Sequence, residues 1–372
     1  MSGEPRVLVC AGGGGVGKTT TSAALAEAAV AEGRRVLVIT IDPARRLADA
    51  LGVVLGPEVQ PVPAPNAGAE RPAGGAFFAL MPDPRQAMRT FVEYLFVDRP
   101  RSLRRVLENR MYQVMEDAIP GVHELAAMAL VTRALARDDL DIDLVVIDTA
   151  PSRNAVDFIT YPKRLSELLE GRAMRWLAEL AHRAEGGDAT DDGDAMKPRG
   201  RVMRLLERGL GPAVHDVGVL SGELLGVIDR FALLNAEASG LLLGPRTTYL
   251  LVAGPTVAAT DDAGFLAARL GRLSIRPRAA ILNGGGEEDP PWAALSEAPP
   301  GAVPAVLADA LAILREEREE RREATAAARR ALDALACEDG VIALPYLGPA
   351  PPTRIVSVLA ARIRPHLSQL TR

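Results

Sequence analysis

An α/β fold on a doubly wound, mostly parallel sheet is predicted by two observations. Short apolar runs alternate with helical patterns along much of the chain, and the first run passes through a glycine-rich loop into an Ala-rich helical stretch and then a second run. Strand, loop, helix, strand is the βαβ unit, whose connection between parallel strands is right-handed. At 372 residues the chain is long enough to carry a helical subdomain beside such a sheet and to bury its core without disulfides.

The elements follow in order. Residues 7–11 read as a short buried strand, residues 18–31 as the Ala-rich helix, and residues 36–41 as a second strand ending in Asp42. Further strands are expected at 76–80, 144–147, 249–253, 279–282 and 340–344. Residues 82–137 and 164–245 interrupt the alternation with helical periodicity and together predict one helical subdomain, leaving 1–81, 138–163 and 246–372 to the sheet domain. Within the second stretch, residues 185–201 are rich in Gly, Asp and Pro and predict a flexible excursion. Residues 56–75 and 283–304 read as Pro/Ala/Gly-rich loops. Residues 316–330 read as a charged helix with carboxylates placed three or four residues before arginines. The basic, partly amphipathic segment 354–372 reads as a docked last helix interrupted at Pro365, with a membrane-lying helix as the alternative.

Composition narrows the class. The 43 basic and 48 acidic residues leave a net charge of −5, which argues against a nucleic-acid surface spread over the molecule. Cys10 and Cys337 are the two cysteines and lie in no CxxC or Cys/His spacing, so neither a disulfide framework nor a zinc site is expected. No charge-free run of about 20 residues is present, and no long apolar run precedes the glycine loop, so a cytoplasmic protein without a span or cleaved signal is expected.

The chemistry is concentrated in Gly12-Gly13-Gly14-Gly15-Val16-Gly17-Lys18-Thr19-Thr20, which matches G-x-x-x-x-G-K-[ST] between a predicted strand and a predicted helix. Glycines let backbone N–H groups converge on phosphate oxygens, and the helix N-terminus adds positive potential. Lys18 is placed to reach the β- and γ-phosphates and Thr19 to ligate Mg²⁺, so this P-loop predicts binding of Mg-ATP. Asp42 and Asp148 each end an apolar strand on the carboxyl edge where open α/β folds bind ligands, which suits a Mg²⁺-shell or water-positioning carboxylate.

Taken together, the P-loop, the segment TIDPARRLADALG at 40–52, DTAPSRNAVDF at 148–158, and Leu282-Asn283 resemble the ArsA-type ATPases. That family includes the arsenite-pump ATPase and the ATPase that targets tail-anchored membrane proteins, within the larger MinD/ParA-like class. The resemblance implies an ATP-driven dimer with nucleotide at the subunit interface. It also implies that Asp42 orients the attacking water, that Asp148 serves Mg²⁺, that Asn283 reads adenine and that Pro345 lies near it.

The departures are as specific as the matches. The family's first loop lysine, which reaches across the dimer, is replaced by Gly13. Arg45 and Arg46 stand where the family has His-Asn or His-Ser, and Arg153-Asn154 replaces Gly-His. Arg153, then Arg45, are the candidates to supply the missing positive charge, with a salt bridge at the surface or between the two family switch segments, the first carrying Asp42 and the second Asp148, as the alternative. The metalloid-binding and zinc-bridging cysteines of the family have no equivalents here. Eight methionines besides the initiator fall within residues 81–203 and suit either an adaptable client groove or an ordinary helical core. The leading expectation is a nucleotide-switched, ATP-hydrolysing dimer handling a protein or membrane-associated client. A weakly hydrolysing regulatory or scaffold subunit paired with a lysine-bearing paralogue is the alternative.

Overall fold

The computed structural model describes residues 5–41, 45–64, 71–113, 131, 132, 134, 138–149, 171, 212–286 and 305–372. Among these, eight strands form one sheet: β1 (Arg6–Gly12), β2 (Arg35–Thr40), β3 (Gln60–Pro61), β4 (Ala76–Leu80), β5 (Leu144–Asp148), β6 (Thr247–Ala253), β7 (Ala279–Gly286) and β8 (Val341–Pro345). Their order is β3-β4-β2-β5-β1-β6-β7-β8. Every neighbouring pair runs parallel except β3 with β4. The central strands β1 and β5 are apolar and buried almost throughout, as strands covered on both faces must be.

Each expected strand is present, and two differences have clear physical causes. β3 lies inside the segment read as a loop, because a two-residue edge strand ending in Pro61 carries no period to detect, and proline is tolerated there since no ladder N–H is needed. β7 runs on to Gly286 where a loop was expected from residue 283: a bulge between Asn283 and Gly286 lets the glycines keep pairing with β8.

The helices of the sheet unit are α1 (Lys18–Val30) and α2 (Arg46–Leu51), then, after the helical unit, α7 (Val257–Arg272), α8 (Ala305–Asp333), α9 (Pro352–Ile363) and α10 (Leu367–Leu370). α1 is mostly Ala and Thr and is buried on nearly every side; its small side chains let it pack against β2, α2 and α9 at once. Pro365 breaks the C-terminal segment into α9, a 3₁₀ turn at Arg364–His366, and α10. Val356, Leu359, Ile363, Leu367 and Leu370 are buried, so this segment docks on the domain.

Cα packing divides the chain into two compact units, Met1–Pro82 with Leu135–Val156 and Leu243–Arg372, and Asp83–Ala134 with Asp157–Leu242. In the second unit the described helices are α3 (Pro84–Leu95), α4 (Pro100–Glu108), α5 (Pro212–Leu225) and α6 (Ile228–Leu243). Asp83 caps α3 by accepting from the Gln86 N–H at 2.9 Å, and Pro84 follows at the first helical position. Phe91 and Phe231 meet edge to face, 6.1 Å apart, in a core that also holds Phe96, Val106, Leu220 and Leu234. Met88 and Met111 pack into this same core. Residues 185–201, read as a flexible excursion, lie outside the described residues.

Candidate nucleotide site

β1 sits where the strand order reverses, with β5 on one side and β6 on the other, so the loop after it opens at the switch point of the sheet. Gly17 caps α1 in the left-handed region, φ 89°, and a Cβ there would also run into the side-chain amide of Asn283. Only glycine satisfies both demands. The buried Lys18 Nζ donates to the Gly13 carbonyl at 2.6 Å.

Register then assembles the chemistry. Cys10 pairs with Asp148 across β1 and β5, and Thr40 pairs with Asp148 across β2 and β5. Asp148 is fully buried, and its Oδ2 accepts from Thr19 Oγ1 at 2.7 Å and from Thr40 Oγ1 at 3.1 Å. The next residue, Thr149, donates its hydroxyl to the Cys10 carbonyl at 2.8 Å, while Ile41 N–H donates to the Asp148 carbonyl at 2.8 Å. These contacts tie the ends of three strands to the first turn of α1.

Hydroxyl and carboxylate oxygens are the hard donors that Mg²⁺ accepts, and that ion commonly uses one or two protein oxygens beside those of a phosphate chain. Thr19 and Asp148 fit it. When bound there, Mg²⁺ would neutralise charge on the β- and γ-phosphates. Among the described residues no cluster of three or more His, Cys, Asp or Glu is built to hold a metal.

A cleft of 680 Å³ opens beside the loop, lined on one side by Gly14, Gly15, Val16 and Thr20. That volume lies within the range of small-molecule sites. Asn283, Pro345 and Tyr346 also line it. The Asn283 amide nitrogen donates to the Val16 carbonyl at 3.0 Å, which turns its side-chain oxygen into the available acceptor. Arg45 caps α2 and Arg46 begins it, both with exposed side chains. Asp42, Arg153 and Asn154 lie outside the described residues.

Three contributors were not found from the sequence. Thr40 is one residue in an apolar run and shows its role only through strand register. Tyr346 directly follows Pro345 but carries no motif. Asp262, on α7, meets Gly13: a Cβ built at residue 13 would lie 2.5 Å from its Oδ2 and 3.2 Å from its Cβ.

Cys10 lies behind the loop, where burial, aided by the Asp148 charge and opposed by the Ser22 hydrogen bond and Lys18, pushes its thiol up to about 12. Burial also raises Cys337. Both thiols are therefore expected to stay protonated and unreactive in the native protein at pH 8. Titration with a chromogenic disulfide should show no fast thiol before denaturant and two afterwards; one fast native thiol would contradict the packing around Cys10 or Cys337.

The strand order, the loop between β1 and α1, and the carboxylate at the end of β5 define a P-loop NTPase fold. The anion-transporting ATPase family model matches residues 5–196, more than half of the chain, and the chain belongs to this ArsA-type ATPase family. It is 34% identical to the ATPase get3 of Schizosaccharomyces japonicus over 161 residues, 42% of this chain and 44% of that protein. It is 33% identical to the ATPase GET3 of Rhodotorula glutinis over 187 residues, 49% and 50% of the two chains. To the ATPase ARSA1 of Chlamydomonas reinhardtii it is 27% identical over 296 residues, 75% of this chain and 34% of that protein. The matched regions thus span half or less of each of these relatives.

Proposed function

We propose that this chain binds and hydrolyses Mg-ATP as a nucleotide-switched dimer, its sheet unit holding the nucleotide and its helical unit engaging a protein or membrane-associated client. The observation that carries the reading is the hydrogen bond from Thr19, beside Lys18 in the P-loop, to the buried Asp148 at the switch point. A change at the γ-phosphate would be felt directly at the end of β5, where the second switch begins. In this reading Lys18 meets the β- and γ-phosphates, and Thr19 and Asp148 hold Mg²⁺. Asp42 orients the attacking water, Asn283 accepts from the adenine amino group, and Pro345 lies against the base. A cytoplasmic setting fits a chain in which no described helix is long and apolar enough to cross a membrane. No nucleic-acid partner and no zinc belong to it.

The second reading, a weakly hydrolysing subunit paired with a lysine-bearing paralogue, is favoured by the contact between Gly13 and Asp262. A lysine introduced at residue 13 would displace a flexible carboxylate end and then pair with it within the same subunit. Gly13→Lys alone is therefore expected to change hydrolysis little, whereas Gly13→Lys with Asp262→Ala frees the new charge and should raise the rate by about tenfold or more. ATPase rate against protein concentration, for wild type, both variants and Arg153→Ala, tests the two readings. A rate that rises with concentration and falls to nothing in Arg153→Ala supports the self-sufficient dimer. A slow wild type, accelerated only by a paralogue, supports the regulatory subunit. A fast, concentration-independent rate unaffected by any substitution would reject both.

A further inference from the structure

With only six residues, α2 does not hold itself in place, because a helix of that length has little stability of its own. Its position is set by what it packs on, and the structure gives it two supports, α1 and α9. Leu47, Ala48 and Ala50 are its buried side chains. It ends in a left-handed cap at Gly52, φ 67°, after which Val53 N–H donates back to the Ala48 carbonyl at 3.0 Å. A Cβ built on Gly52 would lie 2.7 Å from Thr353 Cγ2, in the first turn of α9. Thr353 has little room to yield: its side chain is short and β-branched, and it follows Pro351 and Pro352, whose rings fix the entry to the helix. The bare Cα of Gly52 is thus the seat of the Thr353 methyl.

The other end of α2 leads to Asp42. Thr40 and Ile41 are tied to Asp148, and the Arg45 carbonyl accepts the Asp49 N–H at 3.0 Å as α2 begins. Asp42, Pro43 and Ala44 join these two anchored points, which can be at most about 14 Å apart, so a shift of α2 is passed to the three residues between. We propose that Thr353, seated on Gly52, is a positioning residue for Asp42: it fixes where α2 sits and so where that carboxylate is held. This rests on the readings above that the chain hydrolyses Mg-ATP and that Asp42 orients the attacking water. A misplacement of about 1 Å far from the chemistry can cost about 100-fold in rate, whereas affinity resides in the P-loop between β1 and α1. The seat therefore acts on hydrolysis and spares binding.

The test measures single-turnover hydrolysis and Mg-ATP affinity, with thermal melts beside them. Gly52→Ala should lower hydrolysis by about 10- to 100-fold and leave affinity within about twofold of wild type. Adding Thr353→Ser removes the colliding methyl and should restore the rate by about threefold or more, while the strained φ at residue 52 keeps the melting temperature below wild type. Thr353→Val, which keeps a methyl at the seat, should retain hydrolysis. In an Asp42→Asn background Gly52→Ala should cost no more than about twofold further, because the group it displaces is already disabled. Normal hydrolysis in folded Gly52→Ala, equal losses of rate and affinity, no relief by Thr353→Ser, or an undiminished loss in the Asp42→Asn background overturns the seat and leaves the Asp42 reading intact. Normal turnover in Asp42→Asn alone overturns the Asp42 reading and the seat with it, and a folded wild type that does not hydrolyse Mg-ATP overturns the ATPase reading itself.

Discussion

Lys18→Ala is expected to weaken Mg-ATP by about 100-fold, because on the proposed reading the variant removes the cation that would make charge-assisted hydrogen bonds to two phosphates. The fold should survive. In the structure Lys18 donates to the Gly13 carbonyl at 2.6 Å, and a hydrogen bond of that kind contributes about 1 kcal/mol net. The strands β1, β5 and β6 that hold the loop have no part in the substitution. Equilibrium titration with a fluorescent ATP analogue, alongside thermal melts, separates lost binding from lost structure. An unchanged affinity in a folded variant would remove the loop from the site.

The P-loop and its setting were legible because local sequence determines them. The apolar run of β1, the glycines and the Ala-rich α1 are contiguous, and the left-handed cap at Gly17 is a demand on a single residue. The C-terminal segment was legible for a similar reason: Pro365 must interrupt a helix, and it falls in the 3₁₀ turn between α9 and α10. What remained hidden depends on juxtaposition of distant residues. Gly13 and Asp262 are brought together only when α7 folds against β1, and Arg321 reaches Tyr346 only when α8 lies along the sheet. The methionines posed a different difficulty, since a flexible apolar side chain fits a groove and a core equally well on periodicity. Met88 and Met111 fill the core of the helical unit.

Asp148→Asn is expected to lower single-turnover hydrolysis by at least about 100-fold while nucleotide affinity changes much less. The two carboxylate roles in the structure can be separated by choice of substitution. Asp148 Oδ2 accepts from Thr19 and Thr40, and an amide oxygen in the same place can accept from both, so Asn preserves the link between α1, β2 and β5. It exchanges the other carboxylate oxygen for an amide NH₂ and removes the negative charge, which on the proposed reading the Mg²⁺ site would need and which a fully buried position makes strong. The Mg²⁺ concentration that supports half-maximal hydrolysis should accordingly rise in Asp148→Asn. Asp148→Ala should do more, since it leaves two hydroxyls without this acceptor and destabilises the fold by about 1–3 kcal/mol for each group left buried and unpaired. Thr40→Val is the complementary control: it removes one donor on the β2 side, keeps the charge, and should lower the melting temperature with little effect on the chemical step. Normal turnover and an unchanged Mg²⁺ requirement in Asp148→Asn would show that the charge at the end of β5 does no chemistry, and would leave Asp148 as a tie between strands alone.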